Sequence, residues 1–201
     1  MLEILIATAN PHKAQEIAAL LPALPVRFLT LKDFPSFAMP EENGATLEEN
    51  AAIKARAAAA ASGRWAMADD TGLEVDALGG APGVHSARYA GADKDYPANN
   101  AKLLRELEKF PRGKRTARFR TVVALASPDG RLESAEGRLE GVIATRGRGS
   151  NGFGYDPLFQ PLNSDKTLAE LSFEEKNRIS HRAAALKNAA AIIKKISVSG
   201  K

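Results

Sequence analysis

Residues 2–13 read Leu2-Glu3-Ile4-Leu5-Ile6-Ala7-Thr8-Ala9-Asn10-Pro11-His12-Lys13. The first six form a short, nearly unbroken apolar run, the pattern of a parallel strand buried on both faces. Asn10 is a helix-capping residue type, and Pro11 follows in the first turn, where its missing N–H is no loss. Ile17, Leu20 and Leu21 then give an apolar face at helical spacing. A strand feeding directly into a capped helix opens a βα unit and places the chain among α/β proteins. The run is too short, and too acidic at Glu3, to be a signal peptide.

Working outward, residues 26–31 read as a second strand, and 33–45, rich in Pro, Gly and acid, as a loop. Thr46 and Glu49 fit a capping box. Alanine then occupies 8 of the 11 positions 51–61, a strongly helical run that Ser62-Gly63 ends. Residues 65–68 read as a short strand followed by Asp69-Asp70-Thr71-Gly72, and 79–83 as a loop. A helix is expected over 98–109, a strand over 117–126, a turn at 127–130 and an antiparallel return over 131–140. Residues 145–165 read as a Gly-rich loop region. Ser172 with Glu175 fits a second capping box, opening one helix to about 196 whose stripe is Ile179, Ala183, Leu186, Ala190 and Ile193. The sum is an α/β fold, a mixed sheet with flanking helices, forming a single domain over 1–201 without repeats or long linkers.

The 201 residues are 44% apolar and 26% charged, which excludes disordered and fibrous classes. With no cysteine, disulfides, zinc–thiolate sites, iron–sulfur clusters and thiol nucleophiles are excluded. Three histidines and many carboxylates favour a hard cation such as Mg2+ over a transition metal. The net charge of +4 suits an anionic ligand. No stretch approaches the roughly 20 apolar residues of a membrane span, so the expected location is cytoplasmic.

Five segments are candidates for chemistry, each with a structural alternative: a capped βα turn at 8–13, a polar turn at Asp69-Asp70, a solvated acidic loop at Glu41-Glu42, a solvated helix lysine at Lys54 and an exposed polar helix face at 180–182. Thr8 to Lys13 sits where a strand becomes a helix, and free N–H groups there, with Thr8, Asn10 and Lys13, suit phosphate. Asp69-Asp70 follows an apolar strand, and strand alternation sends the two carboxylates in different directions and therefore to different roles. Glu41-Glu42, with Glu48 and Glu49 nearby, offers oxygen ligands for magnesium, and Lys54 lies where it can meet a phosphate. Phe153-Gly154-Tyr155-Asp156-Pro157 offers two aromatic walls and an acid for a base pocket; its alternative is a loop whose aromatics plug the core. Ser180-His181-Arg182 ends the set, Arg182 presenting a fork of donors. Ser180 and His181, as helix neighbours, do not face each other, so a Ser/His/Asp triad is discarded.

These pieces occur in one order: Thr8-x-Asn10-x-x-Lys13, Glu48-Glu49-Asn50-Ala51 with Lys54-Ala55, Asp69-Asp70-Thr71-Gly72-Leu73, Leu78-Gly79-Gly80-Ala81-Pro82-Gly83, Ser86-Ala87-Arg88-Tyr89, Phe153-Gly154-Tyr155-Asp156-Pro157 and Ser180-His181-Arg182. The set resembles the inosine triphosphate pyrophosphatase family over nearly the whole chain. The resemblance implies two lobes around a central nucleotide-binding cleft, a homodimer, and magnesium-dependent hydrolysis of ITP, dITP and XTP to monophosphate and pyrophosphate. It implies that Thr8, Ala9, Asn10, Pro11, His12 and Lys13 hold the triphosphate and that Lys54 reaches toward the phosphates. It makes Asp70 the general base and a metal carboxylate, with Asp69 beside it and Glu41 or Glu42 helping to hold magnesium. Thr71 stands where the family often has Ser. Phe153, Gly154, Tyr155, Asp156, Lys176, His181 and Arg182 would form the base and sugar pocket. Donors from Arg182, His181 or loop amides would favour a 6-keto purine, so Arg182→Ala is expected to lose selectivity more than fold.

Two rival readings come from elsewhere. A septum-inhibitor-like pyrophosphatase would act on dTTP and UTP, but its motifs match no better than the Phe153–Pro157 and Ser180–Arg182 pieces. A nucleic-acid module is suggested by the pI of about 9.4. The basic stretch Arg112, Lys114, Arg115, Arg118 and Arg120 contains only Phe119 as an aromatic, so no stable nucleic-acid partner is expected.

Overall fold

A computed structural model describes residues 1–21 and 23–199. In chain order the main elements are β1 (Leu2–Ile6), α1 (Pro11–Leu20), β2 (Val26–Thr30), α2 (Leu47–Ser62), β3 (Trp65–Val75), β4 (Pro82–Gly83), α3 (Tyr96–Leu107), β5 (Thr116–Ala126), β6 (Leu132–Ile143), β7 (Phe159–Pro161), α4 (Phe173–Ile179) and α5 (His181–Ser199). Among the described residues one seven-stranded sheet has the order β2-β1-β3-β5-β6-β7, with β4 paired to β3. β1 is parallel to β2 and to β3, whereas β3–β4 and β6–β7 are antiparallel. The expected mixed α/β sheet with flanking helices is therefore present.

The chain forms two compact units. Unit 1 comprises residues 1–70, 121–137 and 182 onward, and unit 2 comprises 71–120 and 138–181. The core of unit 1 gathers Ile4, Ile17, Met67, Val123 and Leu125 with Ala185, Leu186, Ala189 and Ile193 of α5. The alanine-rich face of α2 (Ala51, Ala55, Ala58) is fully buried, as small side chains allow. The core of unit 2 gathers Leu73, Val75, Leu103, Leu107, Phe119, Ile143, Leu158, Phe159 and Leu168, with Phe119 and Phe159 rings 4.7 Å apart.

Four expectations are corrected. The strand expected over 65–68 runs to Val75, because the buried polar pair Asp69-Asp70 finds partners and so does not break it. The loop expected at 79–83 carries the short strand β4 on β3, and the loop region 145–165 carries β7 on β6. The single last helix is two: the extended Ser180 separates α4 from α5. Ile179 is accordingly 42% exposed and leaves the apolar stripe, whereas Leu186 and Ile193 are buried.

Candidate active site

Ala7 extends β1 by bonding its N–H to Met67 O at 2.8 Å. The side chain of Asn10 then caps α1, its Oδ1 accepting from His12 N at 3.0 Å and Lys13 N at 3.3 Å. This answers two of the N–H groups expected to be free for phosphate. The Thr8 hydroxyl accepts from Asn10 N at 3.3 Å. Ala9, Pro11 and His12 are exposed, while Lys13 turns inward.

The two aspartates of β3 separate as alternation requires. Asp69 meets Lys13 Nζ at 2.9 Å and Arg182 at 3.5 Å. Arg182, 1% exposed at the start of α5, is also paired with the buried Glu16 of α1. Asp70 meets α2: Lys54 Nζ lies 3.1 Å from its Oδ1, and Asn50 donates to its Oδ2 at 3.4 Å. Lys54 Nζ also lies 2.9 Å from Glu42, so the ammonium bridges Glu42 and Asp70. Helical spacing explains the group: Asn50 and Lys54 are one turn apart on the buried face of α2, as Lys13 and Glu16 are on α1.

These surroundings treat adjacent acids differently. Burial alone raises a carboxyl, but for Asp69 Lys13, Arg182 and Lys54 outweigh it and hold the group well below the usual carboxylate range. For Asp70 burial prevails over Lys54 and Lys13, aided by the negative charge of Glu42, and the carboxyl is raised. Burial pulls the Lys54 ammonium down, but Asp70, Asp69 and Glu42 together overcome this and raise it. Lys13 is lowered, first by burial and then by Lys54 and Arg182, against the pull of Asp69. The fold thus raises the Asp70 carboxyl and keeps Asp69 as an anion among cations.

Unit 2 holds the remaining candidates. Asp156 is buried, accepts from Phe153 N at 2.9 Å and pairs with the buried Lys176 Nζ at 2.6 Å. That ammonium stands 4.9 Å from the Phe153 ring centroid, and the Tyr96 ring is tilted against Phe153 with centroids 6.1 Å apart. Phe153 is half-buried, and Gly154 beside it has φ +65, which its missing side chain permits. Tyr155 does not wall a pocket: it is in the core of unit 2, its hydroxyl donating to Ser86 O at 2.9 Å. His181 is also packed inside, its ring stacked on Phe119 at 4.6 Å. Thr71 is half-buried on β3.

Of the four carboxylates expected around a metal, the structure brings Glu42 and Asp70 together. Glu41 is exposed, and Asp69 is committed to Lys13 and Arg182. Among the described residues no three acidic or histidine side chains converge. Two carboxylates flanking an ammonium nonetheless fit a small hard cation, since magnesium commonly takes one or two carboxylates and completes its shell with water and phosphate. Arg182, expected among base-pocket donors, has Glu16 and Asp69 as its partners. The sequence reading missed Glu16 and Asn50; the signal was their spacing, each polar residue falling on its helix's buried face.

Comparison with known proteins bears on the chain as a whole. The model of the Ham1 family matches residues 4–192. A dITP/XTP pyrophosphatase of Elusimicrobium minutum is 55% identical over 197 residues, covering 96% of this chain and 100% of that protein. One from Geobacter sulfurreducens is 53% identical over 186 residues, covering 92% and 94%. The solved structure of a HAM1 protein from Coxiella burnetii superimposes with a TM-score of 0.89 at 42% identity, covering 97% of this chain and 100% of that one. With most of its length matched and half its residues shared with such relatives, the chain belongs to the Ham1 family.

Proposed function

We propose that this protein hydrolyses deaminated purine nucleoside triphosphates, dITP, XTP and ITP, to the monophosphate and pyrophosphate, clearing them from the nucleotide pool. The observation that carries the reading is the Lys54 ammonium held between Glu42 and Asp70, a cation position framed by two carboxylates. The names of the Elusimicrobium and Geobacter relatives supply the substrate class. In this reading a water attacks the α-phosphorus and Asp70, raised by burial, takes its proton. The bond from the α-phosphorus to the bridging oxygen breaks and pyrophosphate leaves. Lys13 and Lys54 offset phosphate charge, and the Thr8–Asn10 turn offers donors at the positive end of α1. Glu42 and Asp70 would hold Mg2+, whose chemistry is to neutralise and polarise the phosphate oxygens. Selectivity for a keto purine follows if buried donors are left unpaired by adenine. A homodimer and a cytoplasmic setting are parts of the same proposal; no helix among the described residues is long and apolar enough to cross a membrane.

The test is a panel of ITP, dITP, XTP, ATP, GTP, dTTP and UTP with magnesium, quantifying monophosphate, pyrophosphate and free phosphate. Turnover confined to the first three, releasing pyrophosphate, is expected. Turnover of dTTP or UTP instead, or release of free phosphate, removes the assignment.

A further inference from the structure

We propose that Asn50 is a positioning residue, a single buried amide that ties the acidic loop bearing Glu42 to the carboxylate of Asp70. Asn50 is 1% exposed on the inner face of α2. Its Oδ1 accepts from Gly44 N at 2.8 Å, and its Nδ2 donates to Asp70 Oδ2 at 3.4 Å. Both ends of one planar amide are thus used, one on the loop two residues past Glu42, the other on β3. Because Lys54 takes Oδ1 of Asp70, the two carboxylate oxygens are distinguished and the carboxylate plane is fixed. The close approach is built into the loop. A Cβ on Gly44 would lie 2.7 Å from Glu49 Cβ, 2.8 Å from Asn50 Oδ1 and 3.0 Å from Asn50 N, so only glycine lets the backbone N–H reach the amide. Glu49 pins the neighbouring residue, its Oε2 accepting from Ala45 N at 2.6 Å, so two consecutive N–H groups of the loop are held by the first turn of α2. Without Asn50, the direct amide link between the loop backbone at Gly44 and the carboxylate of Asp70 is lost, and the Lys54 bridge, a long flexible side chain, sets the Glu42–Asp70 spacing less tightly.

The kinetic part of this inference rests on the pyrophosphatase reading; the tether does not. Amide hydrogen exchange across 41–46 in Asn50→Ala reads the tether directly. We expect protection at Gly44 to fall at least about tenfold, as local opening replaces a bonded N–H; unchanged protection overturns the tether. With dITP and magnesium, kcat of Asn50→Ala should fall roughly 10²-fold, the scale of a misplaced reacting group, with KM changing by less than about threefold. Asn50→Asp retains the acceptor for Gly44 but sets a carboxylate against Asp70, so it should lose kcat while keeping loop protection. Gly44→Ala presses its Cβ against Asn50 Oδ1 and displaces the loop while keeping the Asn50 side chain, so it should reproduce both effects of Asn50→Ala and serves if that variant unfolds. A parallel rise in KM, or wild-type kcat in Asn50→Ala, overturns the positioning role. Absence of turnover in the wild type sinks the pyrophosphatase reading instead, and the exchange result still judges the tether.

Discussion

Asp69 and Asp70 share a strand, a residue type and near-complete burial, yet their surroundings shift the two carboxyls in opposite directions. Asp69 is surrounded by cations, so the fold favours its ionised form. Asp69→Asn would leave Lys13 and Arg182 short of a counter-ion inside the protein, at a cost of about 3–5 kcal/mol. The sign of the pH dependence follows. A carboxyl lowered by folding contributes stability above the ordinary aspartate value of about 3.9 and loses that contribution as pH falls through the folded value. Urea denaturation should therefore show a gap between wild type and Asp69→Asn at neutral pH that closes in strong acid; a gap constant with pH contradicts the assignment. Asp70 behaves in the opposite sense. Its raised carboxyl opposes folding while ionised, so Asp70→Asn should lose little stability but reduce turnover by roughly 10²–10⁴-fold, the range for removing a general base. The acid limb of kcat/KM should lie above the usual carboxylate range, since Asp70 must be deprotonated to accept a proton.

Helices α1, α2 and α5 present their polar residues on faces that also carry the core, and this decided which parts of the fold and site were legible beforehand. Asn10-Pro11 and the two Ser/Thr caps are local chemistry, so the helix starts at Pro11, Leu47 and Phe173 could be read from a few residues. The cap of α2 differs in one detail: Glu49 reaches Ala45 N, one residue before the cap, rather than Thr46. The continuation of β3 through Asp69-Asp70 was hidden because its partners lie 16 to 113 residues away in sequence, and only their ion pairs make the acids acceptable in a buried strand. For the same reason Ser180 read as mid-helix, although its extended backbone starts α5 afresh and sets Arg182 beside Glu16 and Asp69. That placement reverses one expectation. Arg182→Ala leaves two buried carboxylates without their guanidinium and should destabilise the protein by about 3–5 kcal/mol, a fold effect before any loss of selectivity. Adding Glu16→Gln should recover part of the loss by removing one stranded charge; an unaltered denaturation midpoint in Arg182→Ala would show that the pair contributes nothing.

At the scale of the molecule, a chain of net charge +4 suits an anionic ligand, and the lysines proposed to face its phosphates, Lys13 and Lys54, both belong to unit 1. There Lys13 and Lys54 are each already paired with aspartate, so a triphosphate brought alone adds negative charge beside Asp69, Asp70 and Glu42. In the proposed reading, a divalent cation arriving with the nucleotide would offset that repulsion and free Lys54 to turn toward phosphate. Binding should therefore be cation-dependent even where no bond is cut. A non-hydrolysable dITP analogue with magnesium, at about 100 times its Kd, should stabilise the folded chain by roughly 2.7 kcal/mol. For a chain of this length that is a rise in Tm of about 5–10 °C. Exchange protection should increase at 8–13, 42–54 and 69–70, which hold the residues proposed to face phosphate and cation. With EDTA in place of magnesium the shift in Tm should shrink to a small fraction at the same analogue concentration, because the carboxylates then face phosphate directly. A full shift in EDTA would remove the divalent cation from ground-state binding and leave Lys13 and Lys54 as the only neutralising charges.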